Sequence, residues 1–216
     1  MRDLLFFTTE NGVADLILKE IPYKQTAYIR VLDAAEENLQ PLLQECASFC
    51  RMAGADHIYA SGHPGLERWP LYTSVLTMRG TAWVDREKLR SVFPVSEQTV
   101  SRWRKIYNRR MADVPNAATL EARDEQRILS SCGAYFVHNQ GRLLGIGWLE
   151  DTKLLAMAAV EPGHGEQVMH SLMSLIEGSE MTLEVASANP KAIRLYERLG
   201  FIQVGQVSQW YDAGGI

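Results

Sequence analysis

No stretch of this chain approaches the roughly 20 consecutive apolar residues that a helix needs to cross a bilayer. The opening Met1-Arg2-Asp3-Leu4-Leu5-Phe6-Phe7 has too short an apolar run for a signal peptide, and no small-residue cleavage site follows it. Cysteine is scarce. Cys46, Cys50 and Cys132 are the only three, an odd number without zinc-like spacing. Neither a disulfide framework nor a metal site is expected, and reduced thiols in a cytoplasmic protein fit best. Positive charge is not in excess either. Against 22 Lys and Arg stand 26 Asp and Glu, for a formal net charge of −4. That balance argues against nucleic acid or an acidic membrane as a general partner.

What is present is ordinary globular material. The 216 residues are 46% hydrophobic and 22% charged, enough to bury a core as one large domain or two small ones. Strand-like runs cover residues 4–9 and 13–18, with Glu10-Asn11-Gly12 as a hairpin turn, then residues 26–32. Residues 39–52 read as a helix with Leu39, Leu42, Leu43, Cys46, Phe49 and Cys50 on one stripe and Gly54 after it. Cys46 and Cys50 then face a core rather than form a redox pair. Short strands follow at residues 57–60 and 72–78, and residues 88–101 form a junction broken by Pro94.

Beyond the junction, Ser96 is placed to cap a helix reaching Met111. Its buried stripe is Val100, Trp103, Tyr107 and Met111, and its outer face carries Arg102, Arg104, Lys105, Arg109 and Arg110. A second helix covers residues 120–130. A hairpin pairs residues 134–137 with 143–148, and residues 154–160 form a nearly all-apolar strand of the kind covered on both faces. Residues 167–177 are helical up to Gly178, residues 181–186 a strand, residues 190–199 a helix and residues 201–210 a final extended segment. The order of strand, helix, strand occurs in both halves. Ala60, Ser61 and Pro64 recur as Ala186, Ser187 and Pro190 at one fixed offset, which points to a decayed duplication.

The most informative string is Leu183-Glu184-Val185-Ala186-Ser187-Ala188-Asn189-Pro190-Lys191-Ala192-Ile193-Arg194-Leu195-Tyr196-Glu197-Arg198-Leu199-Gly200-Phe201. Asn189 is a good N-cap and Pro190 suits the first helical position. Ala192, Leu195, Tyr196 and Leu199 form one stripe, and Gly200 suits a left-handed C-terminal position with Phe201 packing back. Taken alone, a tyrosine such as Tyr196 is more often a core residue with a bonded hydroxyl than a catalyst.

This string, in that order of elements, resembles the GNAT superfamily of N-acetyltransferases over residues 96–216. The resemblance implies an α/β (α+β) fold, a mixed and mostly antiparallel sheet flanked by helices. Residues 1–95 then form a smaller, degenerate GNAT-like half. It further implies direct attack of a primary amine on the thioester of acetyl-CoA. Tyr196 would stand at the departing sulfur and Glu184 would be the base. Proton transfer from an ordinary tyrosine to an ordinary thiolate is uphill by roughly 2 kcal/mol, so hydrogen bonding is the expected role. Glu184 is equally a solvated charge opposite core-facing Leu183 and Val185.

By the same resemblance, Ala158 and Val160 present backbone groups to the pantetheine arm. The pyrophosphate would rest on Gly163, His164, Gly165, Glu166, Gln167 and Val168 at a helix N-terminus, with Asn189 and Tyr196 also at the cofactor. That loop is about one residue short of the family pattern and lacks its arginine, and Glu166 is acidic. The corresponding first-half loop, Asp33-Ala34-Ala35-Glu36-Glu37-Asn38, has no glycine and would repel a pyrophosphate. The acceptor is a small-molecule or peptide amine, with no membrane and no metal involved. A homodimer stays open. So do a non-catalytic acyl-CoA-binding or regulatory protein on the same fold, and a nucleic-acid module using the basic helix face.

Overall fold

The computed structural model describes residues 4–216. Met1, Arg2 and Asp3, the first residues of the leader comparison, lie outside the described residues. In chain order the elements are β1 (Leu4–Thr9), β2 (Gly12–Ile17), α1 (Ile21–Lys24), β3 (Thr26–Asp33), α2 (Leu39–Met52), β4 (His57–Ser61) and β5 (Leu71–Thr81). Then come β6 (Ser91–Pro94), α3 (Val100–Met111), α4 (Glu125–Ser130), β7 (Ala134–Asn139), β8 (Arg142–Glu150) and β9 (Lys153–Ala159). The chain ends with α5 (Gly165–Met173), β10 (Glu180–Ala186), α6 (Pro190–Arg198) and β11 (Ile202–Asp212). The fold is mixed α+β, as expected.

Two compact units divide the chain. Among the described residues, one holds those up to Val75 with 206–216, and the other residues 76–205. Residues 76–95, grouped with the first half from sequence, thus lie in the second unit. In the first unit β1, β2 and β3 are antiparallel neighbours, β3 and β4 are parallel, and β11 adds antiparallel to β4 through Tyr211↔Ala60. α2 covers this sheet with Leu39, Leu42, Leu43, Cys46 and Cys50 fully buried. Burial pushes the Cys46 thiol up to about 12 and the Cys50 thiol to about 11, so both stay protonated and inert.

The second unit repeats the pattern. β7, β8 and β9 are antiparallel and β9 and β10 parallel. The strand after β4, β5, lies beside β10, whereas the strand after α6, β11, lies beside β4. Each unit is therefore completed by a strand from the other half of the sequence.

Two layers of side chains sandwich the second unit's sheet. Leu154, Val168, Leu172, Leu183, Val185 and Tyr196 pack on one face. Trp103, Tyr107, Phe136, Trp148, Ala156 and Ala158 pack on the other. Two local expectations need correcting. The helix expected from Ser96 begins at Val100, with Thr99 as N-cap. The Ser96 carbonyl instead accepts the Val100 N–H at 2.8 Å in a preceding turn. The junction also holds a strand, β6, paired antiparallel with β7. Its four residues end in proline, which suits an edge.

Candidate functional site

The site is built where β9 and β10 part. Their parallel register covers Thr182↔Lys153 and Leu183↔Leu154 and goes no further. At that level β9 carries a bulge: Leu149 faces Leu154 and Trp148 faces Ala156, leaving Leu155 without an opposite residue. Beyond the bulge β9 stays on β8. Val160 gives its N–H to the Leu144 carbonyl at 2.7 Å, and Ile146 pairs with Ala158. Antiparallel strands alternate between paired and outward-facing peptide groups. The peptide groups of Met157 and Ala159 are therefore turned toward β10, and those of Ala158 and Val160 toward β8.

α5 starts just past the end of β9, at Gly165. Its position is set by glycines on β8. A Cβ on Gly147 would meet Leu172 Cδ1 at 2.3 Å, and one on Gly145 would meet Val168 Cγ2 at 2.5 Å. The helix rests directly on the β8 backbone. Gly147→Ala should therefore force α5 outward, costing about 1–3 kcal/mol as overpacking does. A denaturant titration would show the loss, and any ligand held by the α5 N-terminus should bind less tightly.

The turn into α5 is made by Gly163 at φ +87°. His164 is the N-cap, no side chain caps the first turn, and the leading N–H groups are left for another acceptor. The His164 ring lies 2.8 Å from Gln167 Oε1, tying the loop to the helix. Val168 stands apart from this surface: its side chain is fully buried, and its N–H bonds the His164 carbonyl.

Glu166 is not the isolated acid that the sequence suggests. Lys88 Nζ lies 2.6 Å from one of its oxygens and Arg198 Nε 3.0 Å from the other. Lys88 first, then Arg198, hold its carboxyl below the usual carboxylate range. Asp85 lies 3.9 Å from Lys88 Nζ as well, so two cations balance two acids and Glu166 adds no net negative charge to the loop. Neither cation could be found by spacing along the chain, because the contacts span 78 and 32 residues. At the loop's start Arg142 pairs with Glu161 through both carboxylate oxygens.

α6 flanks the loop. Asn189 caps it by accepting the Ala192 N–H at 3.2 Å, so the Asn189 side chain serves the helix itself. At the far end Gly200 has φ +85°, the Phe201 N–H bonds the Tyr196 carbonyl and the Gly200 N–H bonds that of Glu197. This is the reciprocal C-terminal pattern that returns Phe201 onto the core, where its ring lies against Gly80. Leu195 approaches Gly165, and Tyr196 is 7% exposed on the α5 face of the sheet. Its ring lies 6.1 Å from Phe201. No side chain among the described residues hydrogen-bonds its hydroxyl. Burial pushes the phenol up to about 12.

Glu184 alternates with Leu183 and Val185, so it faces the side of the sheet opposite Tyr196. It is half exposed and meets Lys153 Nζ at 2.6 Å. On that same side the basic face of α3 is partly spent: Arg104 binds Glu125 at 2.7 Å and the Leu120 carbonyl. Tyr196, the α5 N-terminus and the β9–β10 parting are thus brought together, with Glu184 across the strand.

No protein-family model and no curated protein matches the chain. Solved structures do. A GCN5-related N-acetyltransferase from Kribbella flavida is 13% identical, covers 98% of this chain and 90% of its own, and superposes with a TM-score of 0.59. A functionally unknown conserved protein from Staphylococcus epidermidis gives 13%, 98% and 94%, with a TM-score of 0.59. A GCN5-related N-acetyltransferase from Sphaerobacter thermophilus gives 10%, 93% and 76%, at 0.50. The chain has the fold of the GCN5-related N-acetyltransferases.

Proposed function

We propose that this chain, which has the GCN5-related N-acetyltransferase fold, transfers an acetyl group from acetyl-CoA to a primary amine of a small molecule or peptide. It would do so in the cytoplasm, where reduced thiols such as Cys132 persist. The observation that carries this reading is the parting of two parallel strands at a bulge, directly below an uncapped helix N-terminus. A pantetheine chain is a thin amide-bearing arm. It needs peptide groups on a strand, here those of Met157 and Ala159, and an anion site at the end, here Gly163 to Gln167 with Lys88 and Arg198.

The thioester supplies an activated acyl carbon and a thiolate leaving group. Tyr196 supplies a hydrogen bond to the sulfur as the C–S bond breaks. With its phenol near 12, full proton transfer to a thiolate of ordinary pKa would be uphill by roughly 5 kcal/mol. Tyr196 therefore stabilises charge as a donor and does not act as an acid. The incoming ammonium must lose a proton before its nitrogen attacks. Glu184, tied to Lys153 on the other side of β10, is the assigned acceptor through water.

Glu184→Gln should lower turnover about tenfold or more at neutral pH, with the loss shrinking as pH rises and the amine deprotonates unaided. Steady-state rates over pH, with an acceptor found by screening primary amines against acetyl-CoA, would test this. A pH-independent deficit would remove Glu184 from the proton path. Lys153→Ala should leave CoA affinity unchanged, because Lys153 lies at the start of β9, away from the loop.

A further inference from the structure

The first unit keeps the strand–helix–strand outline of the second but closes its slot. β3 and β4 stay paired over five positions, Thr26↔His57 to Arg30↔Ser61. No thin arm can pass between them. Past their carboxyl ends, however, the unit has a cleft of about 500 Å³, within the size range of small-molecule sites. Its lining includes Arg30, Ser61, His63, Glu67 and Tyr211.

Apart from His63, those groups are chemically unspent. Ser61 is 4% and Tyr211 7% exposed, yet neither hydroxyl has a hydrogen-bond partner among the described residues. Neither oxygen is among the buried side-chain atoms left without a partner, so both hydroxyls open onto the cleft and are free to bond an occupant there. Arg30 and Glu67 are exposed and form no ion pair among the described residues. Glu67 lies close enough to Tyr211 to help burial hold that phenol above its ordinary range. His63 accepts the Gly65 N–H at Nδ1, at 3.0 Å, which leaves Nε2 as the N–H of the neutral ring. The neighbouring acid, Glu36, is already engaged by Arg68 at 3.2 Å.

We propose that this cleft is a second ligand site, distinct from the acyl-donor site, and that it takes an amino-acid-like zwitterion. Arg30 receives the carboxylate, Glu67 the ammonium, and Ser61 and Tyr211 complete the hydrogen bonding. A phosphate-rich ligand is disfavoured by Glu67 within the cleft and by the acidic Asp33 to Asn38 loop. The proposal stands whether or not acetyl-CoA binds the second unit.

The test is calorimetric titration of the full chain with the proteinogenic L-amino acids one at a time. At least one should bind in the millimolar range or tighter, and its N-acetylated and amidated forms should not. Arg30→Ala and Glu67→Gln should each weaken that binding about tenfold or more, as expected for loss of one charge-assisted contact. Both residues are exposed and unpaired, so both variants should melt like the parent, and acetyl-CoA titrations of each should be unchanged. Absence of binding by every amino acid at millimolar concentration would overturn the proposal. So would binding that survives both substitutions.

Discussion

Tyr196→Phe is expected to lower the acetyl-transfer rate roughly a hundredfold, the scale for removing one preorganised donor to developing negative charge, while leaving acetyl-CoA affinity within about twofold. The ring stays in its place between the sheet and Phe201, and only the hydroxyl is lost. Because that hydroxyl has no side-chain partner among the described residues, stability should be unchanged or slightly raised. A purely structural tyrosine would give the opposite pattern. The pH behaviour adds a second readout. Burial raises the phenol from 10.0 to about 12. A raised pKa means the neutral form is favoured in the folded state. That contribution is complete below pH 10 and is lost as pH climbs toward 12. The wild-type rate should therefore show no tyrosine-linked decline up to pH 10, and alkaline destabilisation above it should be smaller in Tyr196→Phe.

Lys88→Ala combined with Arg198→Ala should weaken acetyl-CoA binding about a hundredfold, about tenfold for each cation removed. The two side chains hold Glu166 between them. Without them an unbalanced carboxylate stands at the helix N-terminus offered to the pyrophosphate. Glu166→Gln tests the same electrostatics from the other side. It frees Arg198, leaves Lys88 with Asp85 alone, and should tighten binding several-fold. The difference between the two variants should shrink as salt is added, since both cations are substantially exposed. Titrations of acetyl-CoA at low and high salt would read all three effects, and equal affinity in the double variant would show that the loop holds no phosphate.

The parts of this fold that local chemistry dictates were readable in the residues. α2 spans Leu39–Met52 as its apolar stripe predicts. α6 is capped by Asn189, opened by Pro190 and closed at Gly200 as those residue types require. What the sequence could not reveal is long-range. β6 has only four residues and a proline, too little to stand out. The placement of β5 beside β10 and of β11 beside β4 leaves no periodic trace, so a division at residue 95 looked natural while the compact units divide after Val75 and after Gly205. The same limit applies at the site. Glu166 looked like a repulsive acid because Lys88 and Arg198 are remote in sequence. Ala158 lies on β9 and Val160 just past its end, and their own peptide groups face β8. Which peptide groups face β10 depends on the bulge at Leu155 and the Val160 bond to Leu144, and register of that kind is set by pairing, not composition.

The parting of β9 from β10 is what the functional account rests on, and amide NMR can test it directly. Addition of acetyl-CoA to the full chain should shift and protect the Met157 and Ala159 amides, together with those of Gly165 to Gln167, saturably and with one equivalent bound. Saturable binding that leaves these amides unmoved, or no binding at millimolar acetyl-CoA, would contradict it.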